Sequence, residues 1–125
     1  MRRSPVAVAW FALAMLAWVH QGNADPLPTK IGACGMTTIT DIGYRLDTPD
    51  SGSAIVYANG GGQVSYDTIP EIHRSRIGDK VKLCLVSLPE DCPPGDDRGK
   101  IYRATNLRTG ESWEAADSQH SCGGA

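Results

Sequence analysis

Alternation of apolar and polar residues, the period of a β-strand, is the clearest pattern along the chain. Between residues 80 and 88, Val81, Leu83 and Leu85 fall on one face, and a similar alternation runs through residues 42–46. Near Thr40 the alternation slips, which predicts a β-bulge. Besides the strand at 80–88, the pattern predicts a strand at 36–46, which includes the alternation at 42–46. It also predicts a hairpin at 53–67 and strands at 100–107 and 111–115.

The segment 53–67 predicts a β-hairpin, because an Asn-Gly-Gly-Gly run that accepts positive φ angles interrupts it. Pairing centred on this run sets Tyr57 opposite Val64 and Ile55 opposite Tyr66. All four side chains then share one face. We expect that face to cover the core.

The remaining mature chain indicates little helix. One short helical turn is predicted at Pro70, and residues 89–99 form a turn-rich loop. About five short strands separated by turns predict an all-β fold, a small antiparallel barrel or sandwich, OB-like or SH3-like.

Residues 1–24 predict a cleavable signal peptide. Arg2 and Arg3 precede an uncharged run at 6–19, which is shorter than the roughly 20 apolar residues that span a bilayer. Gly22 and Ala24 supply the small residues at positions −3 and −1 of a cut before Asp25. We therefore expect a bacterial protein that is periplasmic or secreted, without a transmembrane anchor once the signal is removed.

After the cut, residues 25–33 are predicted to be a flexible lead-in, and residues 34–125 are predicted to form a single disulfide-stabilised β domain. Residues 31–34, Ile-Gly-Ala-Cys, approximate the lipobox of bacterial lipoproteins. A polar, Pro-containing stretch separates them from the apolar run, and lipidation of Cys34 would leave an odd number of cysteines. These two features argue against lipidation.

Charge and composition bear on both stability and partners. The chain has 125 residues and only 6% aromatic residues, so its core is thin. Without the two signal-peptide arginines, the chain has ten basic and 14 acidic residues. A mildly acidic domain without a basic run is a poor binder of nucleic acid, so we expect no nucleic-acid partner.

Four cysteines are expected to supply the missing stability as two disulfides in an oxidising compartment. They are Cys34, Cys84, Cys92 and Cys122. Closeness in sequence favours Cys84 with Cys92, which leaves Cys34 with Cys122; the other two pairings stay open. The cysteine spacing is unlike that of zinc sites, and we expect neither a metal nor another cofactor.

Two histidines are the candidates for catalysis. His73 has Glu71 nearby and His120 has Asp117 nearby, so either histidine could serve as a general base in a small secreted hydrolase. No nucleophile motif accompanies them. The alternative is that both histidines lie on exposed connectors without a special role.

Four residues are candidates for binding. Asp96, Asp97 and Arg98 could contact a cation or a basic partner, or form a solvated turn with a local ion pair. Trp113, on the last strand, could be an exposed anchor or a core residue. The chain thus predicts a non-catalytic binding or inhibitory module that recognises an envelope or extracellular protein. The alternatives are the hydrolase and an accessory subunit of an envelope complex, with the 89–99 loop as its contact.

Overall fold

A computed structural model describes residues 24–124. The predicted signal peptide therefore lies outside the described residues, apart from Ala24. The elements are β1 (Cys34–Tyr44), a 3₁₀ turn (Arg45–Asp47), β2 (Ser53–Tyr57), β3 (Gly62–Ser65), α1 (Pro70–His73), β4 (Lys80–Ser87), β5 (Ile101–Asn106) and β6 (Ser112–Ala116).

The six strands form a closed antiparallel barrel in the order β1-β2-β3-β6-β5-β4, with β4 pairing back onto β1. Each half of the barrel is a meander of three consecutive strands. The connection from β3 to β4 carries α1 and joins strands that are not neighbours. The predicted all-β barrel is confirmed, and the expectation of about five strands is one too few.

Strand alternation builds the core. Val81, Leu83 and Leu85 are at most 1% exposed, as their spacing predicts. Ile72 of α1 is also fully buried, so the short helix packs against the core. The bulge predicted near Thr40 is confirmed by a register shift between Ile39 and Asp41.

The predicted register of the β2–β3 hairpin is wrong by three residues. Ile55 pairs with Gln63 instead of Tyr66, because the turn closes between Tyr57 and Gly61. An odd shift moves every side chain of one strand to the other face. Ile55 and Tyr57 are buried as predicted, whereas Val64 is only half-buried and Tyr66 is exposed.

Gln63 consequently occupies the core, where all its polar atoms have partners. Its amide nitrogen donates to the carbonyl oxygens of Tyr102 and Ala115 at 2.8 and 3.2 Å. Its amide oxygen accepts from the Tyr57 hydroxyl at 2.6 Å and from the Trp113 indole nitrogen at 2.9 Å. One side chain thereby links β3 to both β5 and β6.

The segment expected to be a flexible lead-in packs onto the barrel instead. The Asp25 amide donates to the Met36 carbonyl at 2.7 Å, and the Gly32 amide donates to the Leu85 carbonyl at 2.9 Å. Pro28 is buried. These contacts differ from the expectation because they are made with strands distant in sequence, which local composition does not reveal.

The favoured disulfide pairing is wrong. The bridges are Cys34–Cys84 and Cys92–Cys122. Cys34 and Cys84 stand directly opposite each other on the neighbouring strands β1 and β4. Closeness in sequence misled the prediction because barrel closure, rather than chain separation, brings these two residues together.

Candidate functional site

His73 meets Ser53 rather than Glu71. Its Nε2 lies 2.8 Å from the Ser53 hydroxyl, and its ring stacks on Tyr44 with centroids 4.7 Å apart. The same hydroxyl accepts the Ile69 amide at 2.8 Å, and Ser53 is 0% exposed. A serine with no exposed surface does not present its oxygen to a substrate, so the pair has the geometry of a structural hydrogen bond.

His120 and Asp117 do not form an acid–base pair in the structure. The Asp117 carboxylate accepts the backbone amides of Gly99 and Lys100 at 2.8 and 3.1 Å. His120 is exposed, and its backbone carbonyl accepts the Ser118 hydroxyl at 2.6 Å. Asp117 therefore holds the start of β5 in place.

Asp96, Asp97 and Arg98 form the solvated turn that was the alternative to a cation site. The Arg98 guanidinium donates to both Asp96 oxygens at 2.9 Å, and this contact holds the pKa of Asp96 well below its usual range. Asp97 pairs with Lys100 at 2.7 Å. Each of the two carboxylates therefore already has a cationic partner. Across residues 24–124, no group of three or more His, Cys, Asp or Glu side chains is placed to hold a metal ion.

Trp113 is a core residue, not an exposed anchor. It is 6% exposed and its indole nitrogen binds Gln63. An open depression that it shares with Arg103, Ser112 and Glu114 lies at its surface. Its burial follows from the position of the indole on the inner face of β6.

A different group of residues, at the β1–β2 loop, stands out on the surface. Tyr44, Leu46 and Tyr66 are exposed by 38%, 63% and 56%. The Arg45 guanidinium lies 4.2 Å from the centre of the Tyr66 ring, a cation–π contact. We call Tyr44, Arg45, Leu46 and Tyr66 the loop cluster.

Leu46 has an unusual backbone conformation. Its φ of 57° and ψ of 24° are left-handed, and Asp47 and Asp50 follow with φ of 52° and 69°. A left-handed residue other than glycine costs roughly 1–2 kcal/mol. Since Leu46 is also largely exposed, burial of its side chain offsets little of that cost.

Hydrogen bonds hold the loop in this conformation. The Arg45 amide donates to the Gly52 carbonyl at 3.1 Å and the Arg45 Nε to the Ser51 carbonyl at 2.5 Å. The single Ser51 hydroxyl proton is shared between the carbonyls of Arg45 and Thr48. Gly52 has a φ of 117°, and a Cβ there would overlap the Ser65 carbonyl. The loop is therefore packed directly against β3.

Acidic side chains surround the loop cluster. Asp47, Asp50 and Asp67 are exposed, and within residues 24–124 none of the three forms a salt bridge. Arg45 is the basic member of the cluster, and its guanidinium is engaged with Ser51 and Tyr66. The cluster is thus an apolar and aromatic surface with a negatively charged edge.

Comparisons with models of known protein families, with characterised proteins and with solved structures give no match. The fold and surface define the class of the protein as a small, disulfide-linked, closed antiparallel β-barrel. Within residues 24–124 no helix is long and apolar enough to cross a membrane.

Sequence reasoning missed the loop cluster. The hairpin pattern predicts a core position for Tyr66, and the alternation through residues 42–46 predicts that Tyr44 and Leu46 lie on a strand. A signal was present, since Thr48-Pro49-Asp50-Ser51-Gly52 predicts a turn next to Leu46. The left-handed conformation at Leu46 itself has no sequence signal.

Proposed function

We propose that this protein is an exported, non-catalytic module that binds an envelope or extracellular protein through the loop cluster. Its two disulfides fit a periplasmic or extracellular protein. The hydrolase alternative has less support, because the candidate histidines do not meet an accessible nucleophile in the described residues.

The observation that carries the proposal is the conformation of Leu46. A large apolar side chain that is exposed, and whose backbone is held left-handed, contributes little to folding. Backbone strain of this kind concentrates at binding and active sites. Binding a partner would bury Leu46 and would offset the cost of holding it there.

The composition and rigidity of the loop cluster also favour recognition of a protein. Tyrosine and arginine are enriched among the residues that dominate interface energies. Tyr66 is fixed by Arg45 and by its hydroxyl, which donates to the Gln119 carbonyl at 3.0 Å. A surface ordered before binding loses less conformational entropy when the complex forms.

The shape and charge of the loop cluster indicate the shape and charge of the complementary site on its partner. Leu46 projects from a tight loop, so the complementary site is a concave apolar pocket. Asp47, Asp50 and Asp67 would face a basic edge on the partner, which raises the association rate at low salt. Insertion of such a loop into a functional cleft is the inhibitory form of this function.

The accessory-subunit alternative places the contact at the 89–99 loop. The charged residues at the centre of that loop make internal ion pairs, and Cys92 is tied to Cys122. These internal contacts explain those residues without any need for a binding partner. In the loop cluster, the exposed and left-handed Leu46 has no such internal explanation, which favours this cluster as the contact.

A capture experiment with matched variants tests the proposal. The mature protein, its Leu46→Gly variant and its Leu107→Gly variant are immobilised separately and exposed to envelope extract, and retained proteins are identified by mass spectrometry. Leu107 is also an exposed leucine, but it lies after β5 outside the loop cluster. We expect a partner that the wild type and Leu107→Gly retain and Leu46→Gly loses.

The affinity of that partner is then measured at two salt concentrations. We expect the on-rate to fall with salt, and less steeply in a variant in which Asp47 and Asp50 are both Asn. If the partner binds Leu46→Gly with the same affinity as it binds the wild type, the proposed surface is contradicted. Turnover of a substrate that His73→Ala abolishes would support the hydrolase instead.

A further inference from the structure

Residues 25–28 cover a part of β1 that β2 does not reach. The pairing of β2 with β1 begins at Ile39 and runs towards Tyr44. Earlier along β1, the Met36 carbonyl accepts the Asp25 amide at 2.7 Å, and the Met36 amide donates to the Asp25 carboxylate at 2.8 Å. We call residues 25–28 the N-terminal strap.

Side chains of the N-terminal strap also pack on the barrel. Leu27 contacts the hydrophobic core and Pro28 is buried. The Asn59 side-chain amide donates to the Asp25 carbonyl at 3.3 Å. Two glycines make room for this packing. A Cβ at Gly35 would lie 3.0 Å from the Pro26 carbonyl oxygen, and one at Gly61 would lie 2.7 Å from Leu27 Cδ2.

We infer that the Ala24–Asp25 bond is a proteolytic processing site and that the terminus it creates is a structural part of the barrel wall. Asp25, the residue that follows the small-residue pair Gly22 and Ala24, contacts β1 through both its backbone amide and its carboxylate. Processing at this bond keeps the whole strap. Processing further along the chain removes backbone partners of β1.

Hydrolysis of this bond by an endopeptidase that selects small residues adds one water molecule. The departing segment keeps the new Ala24 carboxylate, and Asp25 gains an α-ammonium group. That group retains the nitrogen that lies 2.7 Å from the Met36 carbonyl oxygen. A charged donor strengthens such a hydrogen bond.

The structure also bears on the lipoprotein route at residues 31–34. A thioether lipid on Cys34 would use the same sulfur that forms the disulfide with Cys84. Cleavage before Cys34 would also remove residues 25–33, including Leu27 and Pro28. Processing at Asp25 therefore preserves both the disulfide and the strap, whereas lipidation at Cys34 preserves neither.

The test begins with export of the full 125-residue chain from a bacterial host. Intact mass and N-terminal sequencing of the exported protein are expected to show a chain that begins at Asp25. Thermal midpoints of Leu27→Ala and Thr29→Ala are then compared with the wild type. Thr29 is the matched control, since it is exposed in the same segment.

We expect Leu27→Ala to lower the midpoint by about 5–10 °C and Thr29→Ala to leave it within about 2 °C. The Met36 amide in the wild type is also expected to exchange slowly with solvent deuterium, which tests the strap even if Leu27→Ala fails to fold. A chain that begins elsewhere, or a lipid on Cys34, overturns the processing site. Equal midpoints for the two variants, or a rapidly exchanging Met36 amide, overturn the strap.

Discussion

Leu46 illustrates, at the scale of a single residue, a conflict between folding and the proposed binding. Its left-handed backbone is one that glycine adopts without a Cβ penalty. Leu46→Gly is therefore expected to leave the free energy of unfolding unchanged or to raise it by up to about 1 kcal/mol. Chemical denaturation measures this free energy.

Leu107→Gly is the control for that prediction, because Leu107 is exposed and is not among the residues with positive φ. There glycine only adds freedom to the unfolded chain, so stability is expected to fall by about 0.5–1 kcal/mol. An equal loss in the two variants would show that the conformation of Leu46 is not strained.

Gln63, in contrast to Leu46, is a residue on which the stability of the barrel depends. Gln63→Leu would leave the buried Trp113 indole N–H and the Tyr57 hydroxyl without their acceptor. Each unsatisfied buried group costs about 1–3 kcal/mol, so a loss of about 3 kcal/mol or more is expected on denaturation. Trp113→Phe removes one donor and should cost less. The reverse order would argue against the Gln63 network.

At the scale of the element, pairing between strands accounts for the wrong hairpin register and for the wrong disulfide pairing. The hairpin strands were placed correctly, but several turns fit one Asn-Gly-Gly-Gly run, and each sets a different register. Only the turn that puts Gln63 inside gives the Trp113 indole its acceptor. That acceptor is 50 residues away in sequence and is invisible to a local pattern.

The two disulfides fasten different elements. Cys34–Cys84 joins strands that also share backbone hydrogen bonds, whereas Cys92–Cys122 holds the 89–99 loop to the C-terminal segment. Their sequence separations, 50 and 30 residues, are similar. In the chain-entropy model, removing either bridge is therefore expected to cost free energies of unfolding that differ by less than about 1 kcal/mol.

Paired Cys→Ala variants and thermal denaturation check this expectation. Limited proteolysis should separate the two variants more clearly. Loss of Cys92–Cys122 is expected to expose the C-terminal segment to cleavage in the folded protein, while loss of Cys34–Cys84 leaves that segment protected. A similar cleavage pattern in both variants contradicts the distinct roles of the bridges.

At the scale of the whole molecule, a buried acidic group fastens the connection between β3 and β4 to the β5–β6 end of the barrel. Asp79, just before β4, accepts hydrogen bonds from the Arg108 guanidinium at 2.8 Å and the Asn106 amide at 2.9 Å, both at the β5–β6 end. The Arg76 amide donates to it at 2.8 Å. The Arg108 hydrogen bond is the main reason that the pKa of Asp79 lies well below its ordinary value.

This lowered pKa predicts a pH dependence of stability. An aspartate whose pKa is lower in the folded than in the unfolded state stabilises the fold above the unfolded pKa of about 3.9. That contribution is lost as the pH falls towards the folded pKa. The free energy of unfolding should therefore decrease between about pH 5 and pH 2, measured by urea denaturation.

Asp79→Asn should reduce this dependence more than Asp97→Asn does. The Asp97 pKa is also lowered, by Lys100, but its side chain is 82% exposed and solvent screens the pair. An equal reduction in the two variants would contradict the role of burial at Asp79.

By itself, the sequence determined the all-β class, the position of most strands and the face of β4 that is buried. These features follow from the two-residue period of side chains along one strand, which is a local property. The core location of Trp113 was one of the two alternatives that the sequence left open.

Tertiary structure alone decided the hairpin register, the disulfide partners, the packing of residues 25–33 and the exposure of the loop cluster. Each depends on which distant strands become neighbours when the barrel closes: Cys34 meets Cys84, and Gln63 meets Trp113. Alternation along one strand specifies which face is apolar, but it carries no information on the neighbouring strand or its register. Closure of six strands into one ring selects both, because only that arrangement pairs the backbone and satisfies the buried polar groups together.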